Sequence, residues 1–282
     1  AGVGDEARYF NTLGFARREL LPSSSGVEYV DLDGNKQTLA LFEFAPYGYG
    51  KQIETKAKLT FDGKRVVTSC YQAEVEGGVI TSLVFNGREL VKTAFGTPIV
   101  AEDVPYIYDN WDIDADYKLK ERQVDCLSTH VVVNCDSLVV LRSEFRLTEN
   151  STLLRDIIFR ADSSVVEFDN KLIFADKHTL ARTYFDTTLF AEHYRTETQF
   201  GTVERNALPH GVADAAKFEV CSHKWTDFSE KNVGISLLSD SKYGVSVEGG
   251  KMGLTLHKSG THPDARGDNG TSRFRYAVLP HV

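Results

Sequence analysis

Apolar and polar side chains alternate along most of this chain with a period of two, the period of a half-buried β-strand. Val139-Val-Leu-Arg-Ser-Glu-Phe-Arg-Leu147 shows it, as does Arg273-Phe-Arg-Tyr-Ala-Val-Leu279. Residues 165–174 read as a further strand with mixed faces. Leu153-Leu-Arg-Asp-Ile-Ile-Phe159 instead carries paired apolar residues, which fits a strand buried on both sides or one that is bulged. Turn signals punctuate these runs. Asp33-Gly34, Asp62-Gly63, Gly77-Gly78, Asn86-Gly87 and Gly249-Gly250 each read as a hairpin tip, because positive φ costs little there. Helical stripes are scarce. Only residues 177–194 would admit a helical turn or two, and they too read as mostly strand.

The pattern predicts an all-β chain of many antiparallel strands at sandwich-like spacing. A domain boundary falls near residues 48–62. Before it, the stretch from Arg8 to Phe44 makes a few strands, and Pro46-Tyr-Gly-Tyr-Gly50 makes a loop. After it comes one long run of strands.

With 282 residues, 41% hydrophobic, the chain can bury a sizeable core. Its net charge of −8 and its scattered lysines and arginines argue against nucleic acid as a partner. No apolar run approaches the roughly 20 residues that span a bilayer, so no membrane partner is expected. Four cysteines lie far apart with no Cys-x-x-Cys pair, and read as reduced, buried thiols of a cytoplasmic protein, with one or two disulfides as the alternative. No His-x-x-x-His or Glu-x-x-His spacing occurs. His257 and His262 are five apart, which on one extended strand points them to opposite faces, so no metal site is expected. The chain opens Ala1-Gly2-Val3, and its only methionine is Met252, which favours a cut from a longer polypeptide.

Residues 199–230 are the densest in chemistry. Gln199-Phe-Gly-Thr-Val-Glu-Arg-Asn206 is followed by Ala216-Lys-Phe-Glu-Val-Cys-Ser-His-Lys-Trp-Thr-Asp-Phe-Ser-Glu230. This block resembles the FGxVERP-like and FEVCxHKWxDLSE-like signatures of the glycoside hydrolase family 38 α-mannosidases, in their C-terminal part. Further segments resemble that family in the same order. They are Phe10-Asn-Thr-Leu-Gly-Phe-Ala-Arg-Arg-Glu19, Ala45-Pro-Tyr-Gly-Tyr49, Gly78-Val-Ile-Thr-Ser-Leu83 with Gly87-Arg-Glu-Leu90, Asp103-Val-Pro-Tyr-Ile-Tyr-Asp-Asn-Trp-Asp112, Lys242-Tyr-Gly244, and the Pro263-Asp264 to Tyr276 ending. The patterns are nearest the cytosolic and bacterial branch. Departures at Tyr108, Asn110 and Asn206 bear on substrate specificity rather than on fold.

The resemblance implies a small β-sandwich, present in part, over residues 1–55. It implies a large antiparallel supersandwich of galactose mutarotase-like type over 56–282. It also implies a retaining α-mannosidase whose two carboxyls and zinc sit on an upstream domain. No motif of that domain is found here. The chain alone is therefore expected to be inactive and to carry no cofactor, zinc being implied for the full-length enzyme. Expected partners are α-mannoside glycans and the upstream domain, with homo-oligomerisation left open.

Three groups of residues are candidates for supporting roles. Asp109, Trp111 and Asp112 place a ring between carboxylates, as in a sugar platform; a core Trp beside turn aspartates is the alternative. Asp112-Ile-Asp-Ala-Asp116 also mimics the start of a calcium loop, but lacks its glycine and its closing glutamate. Glu204, Arg205, His223, Lys224, Trp225 and Asp227 form either an ion-pair network that orders a loop, which is favoured, or a face against the catalytic domain. Arg266 and Asp268, in a polar Gly-rich loop, either reach a neighbouring cleft or sit in a plain surface turn. The Arg-Gly-Asp at 266–268 is read as chance. Two other functions stay in view: a non-catalytic carbohydrate-binding β-sandwich module, and an epimerase that would pair His223 with Glu219 or Glu204.

Overall fold

In a computed structural model that describes residues 9–282, the alternating segments are strands almost throughout. Ala1 to Arg8, and with them the opening of the domain expected at 1–55, lie outside the described residues. Three antiparallel sheets form.

The smallest joins Arg17–Val30, Lys36–Phe44 and Gly50–Ile53. Its long first strand slips register between Pro22 and Val27. Pro22 has no amide to donate, and the bulge takes up the extra residues. Gly26 sits there at φ 145°, and a Cβ on it would stand 2.1 Å from the Leu39 carbonyl oxygen, so only glycine fits.

The second sheet has eleven strands. Its main path runs Val220–Cys221, Gly244–Glu248, Lys251–Ser259, Thr179–Thr187, Val91–Glu102, Val79–Phe85, Tyr71–Glu76, Arg65–Val67 and Thr60–Phe61. The third has nine, in the order Asp125–Cys135, Leu138–Arg146, Thr152–Arg160, Val166–Phe174, Gly270–His281, Gly234–Ser239, Trp225–Ser229, His193–Thr198 and Gly201–Asn206. The five expected hairpin tips all carry glycine at positive φ.

The two large sheets face each other across one core. Phe95, Ala181, Phe185 and Leu254 of the eleven-stranded sheet meet Leu153, Phe168, Phe274 and Tyr276 of the nine-stranded one. Each large apolar side chain taken from water contributes about 1.5–3 kcal/mol. Thr152–Arg160 stays in unbroken register with both neighbours, so its paired apolar residues mean burial on both faces and no bulge. Its inner face bears Leu153, Ile157 and Phe159. Ile158, on the other face, packs under the small sheet with Tyr29, Val133, Leu138 and Val140. The small sheet thus finds its second layer in the nine-stranded sheet.

A buried polar clamp fixes that contact. The Tyr29 hydroxyl donates to Asp156 Oδ2 at 2.7 Å. Arg142 donates to both oxygens of Asp156 at 2.7 Å and also to the carbonyls of Val30 and Asp31. Arg155 lies fully buried in the main core. Its guanidinium stands over the rings of Phe145, Phe168 and Tyr276 and donates to Asn170 and to the Gly96 carbonyl.

Helix is confined to one turn at Val212–Ala215 and a 3-10 turn at Tyr117–Lys120, so residues 177–194 hold none. Among the described residues no helix is long and apolar enough to cross a membrane.

Candidate functional site

Glu102, Thr179 and Ser259 sit side by side in the eleven-stranded sheet. The loops that meet at this end of the sheet are therefore neighbours: 103–116, 175–178 and 260–269. Two buried aspartates brace them, Asp103 within its own loop and Asp109 across to the last. Asp103 accepts the Asp114 amide at 2.8 Å and lies 3.1 Å from Lys258 Nζ. Asp109, 4% exposed, accepts the Thr261 amide at 2.9 Å, the Thr261 hydroxyl at 3.1 Å and the His262 amide at 2.6 Å. His178 Nδ1 stands 3.1 Å from its Oδ2. Burial raises the Asp109 carboxyl, but the amides of Thr261 and His262 and the Thr261 hydroxyl outweigh it, and the group is held below its ordinary value.

Close backbone approach makes the junction possible. A Cβ on Gly260 would come within 2.6 Å of the Asp109 carbonyl, so glycine is required there. Asn110 Oδ1 accepts the Asp264 amide at 3.0 Å, a second tie between the same loops.

Over this anchored base lies an exposed aromatic surface. Tyr108 and Trp111 stack with centroids 5.2 Å apart at 21°, and the His262 ring is 5.5 Å from Tyr108. Trp111 is 71% exposed and Tyr106 93%. A rigid, amphipathic surface of this kind is suited to the C–H faces of a sugar. Asp112 lies at its rim, exposed. Arg266 is also exposed, with Asp264 as its nearest acid at 4.0 Å. Asp268 takes positive φ, which an aspartate tolerates in a turn.

The calcium-like run is occupied from within. Lys120 Nζ lies 2.7 Å from Asp114 and 2.9 Å from Asp116. The hydrogen bond from Lys120 holds the Asp114 carboxyl below its ordinary value. Beneath, Tyr117 is fully buried against Ala101 and Leu180. It bonds to Arg182, whose guanidinium is 2.9 Å from Glu219.

The 199–230 candidates stand apart from this surface and do not converge. Glu204 pairs with Arg195 at 3.3 Å, and Arg205 donates to the Thr196 hydroxyl at 3.1 Å. Lys224 Nζ is 3.9 Å from Glu197. Trp225 and Asp227 belong to one strand. Asp227 gathers Ser229, Ser236 and His281, with both serines donating to the carboxylate. His223 meets Gln199 at 3.5 Å and the edge of Tyr243. Glu219 is committed to Arg182 and Thr255, so no His–Glu pair of the epimerase kind is set up there.

Among the described residues no group of three His, Cys, Asp or Glu is placed to hold a metal ion. His257 packs on Phe174 and bonds to Asn269 at 3.3 Å, away from His262.

Tyr106, Tyr108, His178, His262 and Lys258 join the site without having been candidate site residues in the sequence. Tyr106 and Tyr108 lay inside a quoted segment. His178 and Lys258 sit in strand and loop contexts that carry no signal of their own.

The family described as "Glycosyl hydrolases family 38 C-terminal domain" matches residues 66–266. Human alpha-mannosidase 2C1 is 32% identical over 217 residues, which cover 72% of this chain and 20% of that protein. Alpha-mannosidase of Saccharomyces cerevisiae is 32% identical over 241 residues, 78% of this chain and 22% of that one. The chain thus spans about a fifth of the length of the curated relatives it matches. The crystal structure of an alpha-mannosidase from Enterococcus faecalis V583 superposes with a TM-score of 0.69 at 10% identity, over 95% of this chain and 36% of that one. That likeness speaks to the fold.

Proposed function

The chain belongs to glycosyl hydrolase family 38 through the family's C-terminal domain, and from that membership we propose that it is the β-sheet region of a retaining α-mannosidase. It supports the domain that carries the reaction and presents the Tyr108–Trp111 surface to an α-mannoside. The observation that carries this reading is that surface: two stacked, solvent-facing rings over a carboxylate bonded to a loop 152 residues away. Such anchoring cuts the ordering cost of binding. Asp112, Arg266 and Asp268 lie on the loops that bear it and are placed to meet sugar hydroxyls. The acids that cleave the bond, and the zinc, are assigned to the catalytic domain of the whole enzyme. Four free thiols fit a cytoplasmic setting.

The test has two arms. The 282-residue chain, incubated with zinc and an aryl α-mannoside, is expected to show no hydrolysis, and turnover would overturn the reading. In the whole enzyme, Trp111→Ala is expected to lower kcat/KM by about tenfold, roughly 1.4 kcal/mol of lost transition-state binding. A second reading, a carbohydrate-binding module, draws on the same exposed rings. It predicts glycan binding by the chain alone, abolished by Trp111→Ala, with kcat of the whole enzyme unchanged.

A further inference from the structure

The hairpin His193–Thr198 with Gly201–Asn206 forms one edge of the nine-stranded sheet. Between it and Gly244–Glu248 of the facing sheet the sandwich opens into a cleft of about 720 Å³, closed on one side by residues 209–218. Tyr194 and Arg205 are cross-strand partners and project into it together. Val203, Phe218 and Val247 supply apolar walls.

Each acid that lines this cleft already has a cationic partner. Lys118 is paired with Glu248, Lys217 lies 3.5 Å from Asp214, and Glu204 is taken by Arg195. Asp214 is further engaged by the Asn206 side chain at 2.7 Å and the His210 amide at 3.1 Å. That leaves Arg205. Its Nε donates to the buried Thr196 hydroxyl, which fixes the plane of the guanidinium. Among the described residues no carboxylate lies within ion-pair distance of it. A guanidinium held by one edge, with its terminal nitrogens free beside a tyrosine and apolar walls, is a fork for an oxyanion.

We propose that this cleft is a binding site for a sugar-sized ligand bearing one oxyanion, carboxylate or phosphate, gripped by Arg205. The site is separate from the Tyr108–Trp111 surface and goes beyond the α-mannoside reading.

Calorimetric titration of the 282-residue chain with three probes tests it: glucuronate, mannose 6-phosphate and uncharged methyl α-mannoside. At least one anionic probe is expected to bind at least tenfold more tightly than the methyl glycoside, and which one tells carboxylate from phosphate. Arg205→Gln should lose that binding tenfold or more, while Arg18→Gln, whose partner is Glu43 in the small sheet, should keep it. Because Arg205 also holds Thr196, a second variant guards against misfolding: Val203→Trp fills the cleft and should block binding with Arg205 intact. Equal binding of the uncharged probe would overturn the proposal. So would undiminished binding by Arg205→Gln or Val203→Trp, or no binding of either anion at millimolar concentration.

Discussion

At Asp109 the balance between burial and hydrogen bonding decides how the loops behave with pH. The bonded carboxylate titrates below an ordinary aspartate. A depressed folded value means that its stabilising effect is complete above the unfolded value of about 3.9 and is lost as pH falls through the folded value. Wild-type Tm is therefore expected to drop on acidification below about pH 4, and the drop should be smaller in Asp109→Asn, as thermal melts across pH would reveal. At neutral pH, Asp109→Asn gives up charge-assisted bonds to two amides and should cost about 1.5–3 kcal/mol in denaturant unfolding. Gly260→Ala acts on the same contact by steric means, since its added carbon meets the Asp109 backbone at 2.6 Å. It is expected to raise hydrogen exchange in both loops while the strand Val91–Glu102 stays protected.

Among the elements, the Tyr29–Asp156–Arg142 clamp helps to hold the small sheet down at its hairpin end, beside the pairs that Asp33 makes with Lys171 and Arg273. Burial, followed by the Asp156 charge, raises the Tyr29 hydroxyl well above its usual value, so it stays protonated and donating. Tyr29→Phe leaves the Asp156 oxygen short of one donor and should cost about 1–2 kcal/mol. Limited proteolysis is expected to cut the small sheet's connection near residues 54–59 sooner in this variant than in wild type.

Strand identity was largely legible at this scale because side-chain alternation and the Gly-bearing tips are local signals. What was hidden is what depends on distant partners. Arg155 sits inside a segment read as apolar, yet it is fully buried, because Phe145, Phe168 and Tyr276 from three other strands surround it. Asp109 read as a sugar acceptor, whereas its oxygens hold a loop 152 residues on. The expected network around Glu204 and His223 dispersed because neighbouring residues on a strand face opposite sides. For Trp111 the acids and turn residues around it left a platform and a core ring both open, and its exposure excludes the core ring.

For the whole molecule, both large sheets share one set of core side chains, from Leu59 to Val278. They are expected to melt together. Calorimetric and van't Hoff enthalpies should agree for that transition, with a separate small step only if the clamp is broken.

Among the described residues, the last strand of the nine-stranded sheet, Gly201–Asn206, has no neighbour beyond it. Its outward row of amides and carbonyls is a template on which another copy could assemble, and Phe200, fully exposed at the tip, adds a sticky end. The Glu204–Arg195 pair puts charged groups on that edge, which discourages such stacking. Replacing Glu204 with valine is expected to leave the fold in place but to make the preparation prone to fibre growth on storage, as thioflavin T fluorescence over time would show.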